Sequence, residues 1–280
     1  MKILIFGGNR FVGKLITKKL ALDGHDVTIL NRSGTSPISC NVIKCDRNNK
    51  NDLEKNIGVN KYDCVIDMCL YNLEQAVNTV DILKSNVDKY IFVSSTAVYQ
   101  EPFNFPLKET HKIGGGKIFG NYGINKSLIE KYFSDLRNFP YIIVRPTYIL
   151  GEDNHLNREK YFFDKIINDE SVELELDGNA LLSFIFADDV ANIILKLATT
   201  NSKTKKVYNL SNDEHLSINK FVELISLTVG KKLKIKYVNE SFHFKNTNHI
   251  ISNKSIKKVI GNYQFQTLKD GLKKIYESKY

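Results

Sequence analysis

Apolar residues along this chain change their spacing repeatedly, and each change marks an element. Lys2–Phe6 is a continuous apolar run that Gly7 and Gly8 break. Phe11, Val12, Leu15, Ile16, Leu20 and Leu22 then recur at the interval of an amphipathic helix. Gly24 stops that helix, and Val27–Leu30 is a second apolar run. The order is strand, glycine turn, helix, strand: a βαβ unit with its glycines at the strand-to-helix turn. Further short runs follow at Asn41–Cys45, Tyr62–Met68, Lys89–Val93 and Ile142–Arg145. Asn72–Ser85 reads as a helix with Ala76, Val77, Val80 and Leu83 on one face. A second helix opens at Asn121-Tyr122-Gly123 and carries Leu128, Ile129, Tyr132, Phe133 and Leu136. Strands alternating with helices at this spacing predict an α/β fold with a doubly wound, mostly parallel sheet of about seven strands.

After Pro146 the elements are shorter. Gly151–Leu156 is a polar loop, and Arg158–Asn168 reads as a helix with Tyr161, Phe162, Ile166 and Ile167 turned inward. Phe184–Ala187 leads into Asp188-Asp189, placed to cap a helix over Val190–Ala198. Lys206–Leu210 reads as a strand, Ser217–Val229 as a helix capped by Ser217, and Lys231–Tyr237 as strand-like and strongly basic. The expected division is a Rossmann domain over residues 1–150 and a small α/β substrate lobe over 151–280, with some later segments returning to the sheet core. Gln100–Phe119, with its prolines and Gly114-Gly115-Gly116, reads as a mobile loop over a site.

The chemistry gathers at the carboxyl ends of the predicted strands. Gly7, Gly8, Asn9, Arg10, Phe11, Val12 and Gly13 form a strand-to-helix turn whose free N–H groups and helix dipole suit a pyrophosphate. Arg10 stands where the usual pattern has its middle glycine, which sets a guanidinium beside the phosphates. The second strand ends in Asn31-Arg32 and lacks the carboxylate that would bond a ribose 2′-hydroxyl, so the cofactor expected is NADP in preference to NAD. Asp46 is placed to cap the adenine pocket. The Lys89–Val93 strand runs into Ser94-Ser95-Thr96, and Tyr122 and Lys126, four residues apart, share one helical face. An ammonium beside a phenol stabilises the phenolate, which acid–base work near neutral pH requires.

With these motifs in this order, the chain resembles the extended short-chain dehydrogenase/reductases, the NAD-dependent epimerase/dehydratase family. The matching stretches are GGNRFVG, FVSSTAVY, YGINK, IIVRPTYILG and SFIFADDVA, followed by KVYNLSNDEHLSINKFVELI. The resemblance implies Ser95 as the catalytic hydroxyl, Tyr122 as proton donor or acceptor, Lys126 on the nicotinamide ribose, and the backbone after Pro146 beside the nicotinamide amide. It implies hydride transfer on a sugar or sugar-nucleotide by a reductase or an epimerase. The stretch after residue 151 is short for the family's epimerases, which leans toward a reductase. Thr96 and Ala97 stand where the family's sugar-nucleotide dehydratases carry Asp-Glu, which argues against 4,6-dehydration. The GGxRFxG turn and the Asn-Arg pair resemble a subgroup of bacterial reductase/epimerase-like proteins that is also similar to chloroplast stem-loop RNA-binding proteins, so the alternative is a non-catalytic nucleotide- or RNA-binding protein. The family also implies a homodimer through the helix Asn72–Ser85 and the helix that starts at Tyr122, with Tyr132 and Phe133 as apolar surface candidates.

Composition adds little to this. The 280 residues are 42% hydrophobic and 25% charged, which are globular values. No stretch is apolar enough to span a membrane, and the first run has no cleavage-type end, so no membrane partner is expected. Cys40, Cys45, Cys64 and Cys69 form no CxxC pair, which predicts reduced structural thiols, a cytoplasmic location and no metal. The net charge of +9 is spread over most segments and gives no nucleic-acid stripe. His155, His215, His243 and His249 are scattered, and solvent or local caps are their expected roles.

Overall fold

The computed structural model describes residues 1–200, 206–240 and 243–280. In chain order the elements are β1 (Lys2–Phe6), α1 (Phe11–Leu22), β2 (Asp26–Asn31), β3 (Asn41–Lys44), α2 (Lys50–Ile57), β4 (Cys64–Asp67), α3 (Leu73–Leu83), β5 (Tyr90–Val93), a 3-10 turn at Thr96–Val98, α4 (Gly120–Asp135) and β6 (Tyr141–Pro146). They continue with β7 (Tyr148–Leu150), α5 (Arg158–Ile167), β8 (Val172–Glu175), β9 (Leu181–Phe186), α6 (Ala187–Thr199), β10 (Lys206–Leu210), β11 (His215–Ser217), α7 (Ile218–Val229), β12 (Ile235–Val238), α8 (Lys254–Ile260) and α9 (Leu268–Lys279).

The chain divides into two compact units. The first comprises Met1–Phe103, Glu109–Pro146 and Val190–Asn209. Among the described residues it holds a seven-stranded sheet in the order β10-β6-β5-β4-β1-β2-β3. The neighbouring pairs from β3 to β6 all run parallel, with Ile3 opposite Val27 and Cys64, and Phe92 opposite Ile143. The fold is the α/β architecture with a parallel central sheet that the apolar runs predict. β1, β4 and β5 are apolar because helices cover both faces of such a sheet. Asn72 caps α3 by accepting from the Gln75 N–H at 2.9 Å. Helix α2 lies between β3 and β4, where no element was expected; only its Leu53 and Ile57 are buried, so its apolar stripe is thin.

Helix α4 corrects one expectation. Phe133 is not on the surface but fully buried, packed among Tyr90, Phe92, Phe139 and Tyr141 with ring centroids 5.5–5.9 Å away. Tyr132 lies half-buried against the same cluster. The exposed apolar residues of α3 and α4 are instead Leu73, Ile124 and Leu128. The segment from Gln100 onward is tied by main-chain bonds where it belongs to this unit: Gln100 N–H donates to the Lys112 carbonyl at 3.0 Å, and the Gly114 and Gly115 N–H groups donate to that of Val98 at 2.9 Å.

The second unit comprises Asn104–Lys108, Thr147–Asp189 and Leu210–Tyr280. A three-stranded sheet β11-β9-β7 and a parallel pair β12-β8 pack with α5, α7 and α9 around Phe162, Phe184, Phe221 and Phe244. Ser217 caps α7, as its position predicts, by accepting from the Lys220 N–H at 3.2 Å. Asp188 and Asp189 do not cap α6 from outside, because the helix already begins at Ala187. Their carboxylates sit in its first turn, where the helix dipole favours them, and bond Lys274 and Tyr263. The basic β12 is matched by an acidic neighbour: Lys236 lies opposite Glu173 in register and pairs with it at 2.9 Å. Lys231 pairs with Asp169 at 2.7 Å.

Two histidines depart from the expected solvent roles. His249 is buried, with its main chain bonded to Leu181 and Ser183, and burial pushes its imidazole down to about 4. His243 stacks on Tyr161 at 3.8 Å between centroids, and burial lowers its pKa too. No helix among the described residues is long and apolar enough to cross a membrane.

Candidate active site

The turn after β1 is shaped by backbone that few residues tolerate. Gly7 has φ +86°, and a Cβ on Gly13 would stand 2.0 Å from the Gly7 carbonyl oxygen, so α1 rests directly on the turn. Phe11 has φ +46°, a left-handed conformation that costs a bulky residue energy and tends to cluster at ligand sites. Arg10 stands at the N-cap of α1 without capping it, and the first helical turn carries no acidic residue. No side-chain cap therefore competes with an anion for the helix N-terminus. Asn9 donates to the Thr35 carbonyl at 2.7 Å, while its buried Oδ1 has no hydrogen-bond partner among the described residues. A turn pressed this close to its helix, with an uncapped N-terminus, fits a dinucleotide pyrophosphate.

The residues expected around the adenosine are less uniform. Asn31 spends its carboxamide on its own loop, accepting from Gly34 N–H at 2.7 Å and Ser33 Oγ at 2.9 Å and donating to Thr35. Asp46 likewise accepts from the backbone and side chain of Asn48. Arg10 and Arg32 are exposed.

The candidate reacting groups come from β5 and α4. Ser95 follows β5 and accepts from the Ala97 N–H at 3.1 Å, which opens the 3-10 turn. Tyr122 lies on the first turn of α4 and is 47% exposed. One turn later Lys126 is 2% exposed, and its Nζ donates to the Val93 carbonyl at 2.9 Å. That nitrogen lies 4.8 Å from the Phe92 ring centroid, 5.3 Å from Tyr71 and 5.9 Å from Tyr122. The ammonium is thus buried under one exposed phenol and beside another. Burial pushes its pKa down to about 8, against the pull of the Asp67 carboxylate. Pro146 ends β6, and its carbonyl accepts from Thr96 Oγ1 at 3.4 Å.

Two buried clusters near these residues escaped the sequence reading. Arg47 makes a bidentate pair with Asp67 at 2.7 and 2.9 Å, bonds Thr79 and lies 4.7 Å over the Phe6 ring. Tyr90 donates to the same carboxylate at 2.6 Å. In the second cluster Glu130 of α4 pairs with Arg145 of β6. The available signal was a charged residue at the end of an apolar strand, at Asp67 and Arg145. The four cysteines are free thiols, and burial raises Cys45, Cys64 and Cys69. No cluster of metal-ligating side chains occurs among the described residues.

A glycine turn between β1 and α1 at the centre of a doubly wound sheet defines a Rossmann-type, dinucleotide-binding architecture. The chain belongs to the NAD dependent epimerase/dehydratase family, whose model matches residues 3–211. It is 28% identical over 259 residues to a putative UDP-glucose 4-epimerase of Methanocaldococcus jannaschii, covering 81% of this chain and 82% of that protein. It is 23% identical over 235 residues to the chloroplast stem-loop binding protein of 41 kDa b of Arabidopsis thaliana, covering 77% of this chain and 60% of that one. Its fold matches the crystal structure of dTDP-glucose 4,6-dehydratase from Bacillus anthracis in complex with NAD at a TM-score of 0.84 and 17% identity, over 100% of this chain and 97% of that one.

Lys126 gives this site a signature in stability. Its folded-state pKa lies below that of an unfolded lysine, so the folded protein bears a desolvation cost below about pH 8. Between that pH and about 10 the folded state sheds a proton that the unfolded chain keeps, and stability attributable to Lys126 rises with pH. Lys126→Met is therefore expected to stabilise the protein at pH 7 by roughly 1–3 kcal/mol, a gain that shrinks toward pH 10. Urea unfolding of both proteins from pH 7 to 10 measures this; a difference that does not change with pH would contradict the buried ammonium.

Proposed function

We propose that this chain is a nicotinamide-dependent enzyme that acts on a sugar-nucleotide by hydride transfer, as an epimerase or a reductase. The observation that carries this reading is the buried Lys126 ammonium beneath the exposed Tyr122 phenol, near the β5 end that bears Ser95. A cation buried at some cost, next to a solvent-facing acid–base group, is a catalytic arrangement more than a stabilising one. A bound nicotinamide supplies hydride acceptance and return. Tyr122 Oη takes the proton of the reacting sugar hydroxyl and gives it back. Lys126 stabilises the phenolate form of Tyr122 that accepts this proton, and Ser95 Oγ holds the same sugar oxygen. Gly7 to Gly13 hold the pyrophosphate on the open N-terminus of α1, and Lys126 and the backbone after Pro146 hold the nicotinamide end. Asn31, Arg32 and Asp46 border the adenosine, where Arg32 and Arg10 favour the 2′-phosphate of NADP over NAD.

The relative of Methanocaldococcus jannaschii supports a sugar-nucleotide and the epimerase arm. Thr96 and Ala97, in place of an acidic pair after the hydroxyl, weigh against dehydration. The stem-loop binding relative favours a second reading, a nucleotide- or RNA-binding protein on the same scaffold. Such a binder has no use for an ammonium buried under a phenol. The exposed Leu73, Ile124 and Leu128 on the packed pair α3 and α4 suit a homodimer through these helices.

Tyr122→Phe should lower turnover of UDP- or dTDP-linked hexoses by about 10²–10⁴-fold while leaving NADPH binding, read by nicotinamide fluorescence, nearly unchanged. A fully active Phe variant would remove Tyr122 from the mechanism. Interconversion of sugar epimers without net consumption of reduced cofactor marks an epimerase, and stoichiometric consumption marks a reductase. Titration with both cofactors should show NADP(H) favoured by about tenfold or more, with Arg32→Ala bringing the ratio toward unity. Equal affinities in the wild type, or an unmoved ratio in the variant, would make Arg32 a surface residue. Sedimentation at micromolar concentration should give a dimer, and Leu128→Glu should give a monomer; a monomeric wild type would refute the helix pairing.

A further inference from the structure

Tyr122, Lys126 and Glu130 follow one another at four-residue intervals on α4, so they lie along one face of the helix. The first two belong to the proposed reaction; the third has no role in it. Glu130 is 2% exposed, and its carboxylate is almost fully engaged. Oε1 accepts from Ser94 Oγ at 2.5 Å and from Arg145 Nε at 3.0 Å, and Oε2 accepts from Arg145 Nε at 3.0 Å and Nη2 at 2.5 Å. Each partner adjoins a candidate site residue. Ser94 precedes Ser95 at the end of β5, and Arg145 precedes Pro146 at the end of β6. Arg145 is itself fixed on its far side, donating to Tyr99 Oη at 3.0 Å and the Glu109 carbonyl at 3.2 Å.

We propose that Glu130 is a positioning residue: its carboxylate ties the helix bearing Tyr122 and Lys126 to the two strand ends bearing Ser95 and Pro146, and so fixes the hydroxyl against the phenol and the ammonium. The inference rests on reading Ser95, Tyr122 and Lys126 as the reacting groups. Stability alone does not account for the arrangement. Helix α4 is already anchored by the fully buried Ile129 and Phe133, and a buried ion pair commonly adds little over apolar side chains of similar size. Geometry explains it better, because a misplacement of about 1 Å between reacting groups can cost on the order of 10²-fold in rate.

The test is the double variant Glu130→Met/Arg145→Met, which removes both charges together so that neither is left buried alone. Its melting temperature is expected to stay near the wild-type value. Its kcat on the sugar-nucleotide that the wild type turns over should fall tenfold or more, with KM changed by less than about threefold. Wild-type kcat in a folded double variant would overturn the proposal. Should the double variant fail to fold, Ser94→Ala removes the β5 arm alone and is expected to lower kcat severalfold at constant KM; an unchanged kcat there overturns it equally. Should the wild type turn over no sugar-nucleotide, the proposed function fails separately. Crystal structures of the wild type and of whichever variant folds then decide the positioning: a shift of about 1 Å in the Ser95 Oγ to Lys126 Nζ separation supports it, and an unmoved pair refutes it.

Discussion

Helix α1 can close on the turn after β1 only because residue 13 has no side chain; one Cβ there would strike the Gly7 carbonyl oxygen at 2.0 Å. This contact directs the helix N-terminus and its free N–H groups to the end of a strand that lies between β2 and β4. The strand's last residue, Phe6, is in turn the surface on which Arg47 lies. The cofactor end of the candidate site is therefore an outcome of close packing, reinforced where Asn9 donates to the Thr35 carbonyl at 2.7 Å.

Buried charge organises the other end. Arg47 has Asp67, and Arg145 has Glu130. Lys89 places its ammonium on the carbonyls of Leu197 and Ala198 at 2.8 and 2.9 Å, at the C-terminal end of α6, where the helix dipole welcomes a cation. Lys126 is different: among the described residues its hydrogen bond is to the Val93 carbonyl, three ring faces lie 4.8–5.9 Å away, and the Asp67 carboxylate acts on it through space. The first three charges are compensated where they sit. The fourth keeps donors in reserve, which suits a group that must bind a hydroxyl and answer to a phenolate.

The parallel sheet was legible because its strands are covered on both faces and must read as apolar runs, with glycine or polar residues between them. Amphipathic helices with good caps, such as α3 and α7, were legible for the same kind of reason. Thin stripes were not: α2 buries only Leu53 and Ile57, and α9 sets Leu268, Leu272 and Ile275 among many lysines. Gly271 would argue against a helix there, yet it is glycine because a Cβ would stand 2.0 Å from the Phe186 ring. Phe133 was misjudged because a helix covering a sheet has no empty face in sequence; which aromatic turns inward depends on the strands beneath. In the candidate site, Tyr122 and Lys126 could be read from their spacing. The pairing of Arg47 with Asp67 could not, since it joins the ends of β3 and β4, which the sheet order separates by two strands.

The division of the chain has a consequence for its synthesis. The first unit takes its sheet from residues as far apart as Lys2 and Asn209, with β10 forming an edge against β6. Residues 147–189, which lie between those strands in sequence, belong to the second unit. A nascent chain that has already made the glycine turn, Ser95, Tyr122 and Lys126 still lacks the edge strand. It must carry an unfinished sheet, and the unpaired edge of β6, until β10 leaves the ribosome. The order in which this protein is written is thus not the order in which its parts become complete, and the interval between the two is when it is most exposed to wrong partners.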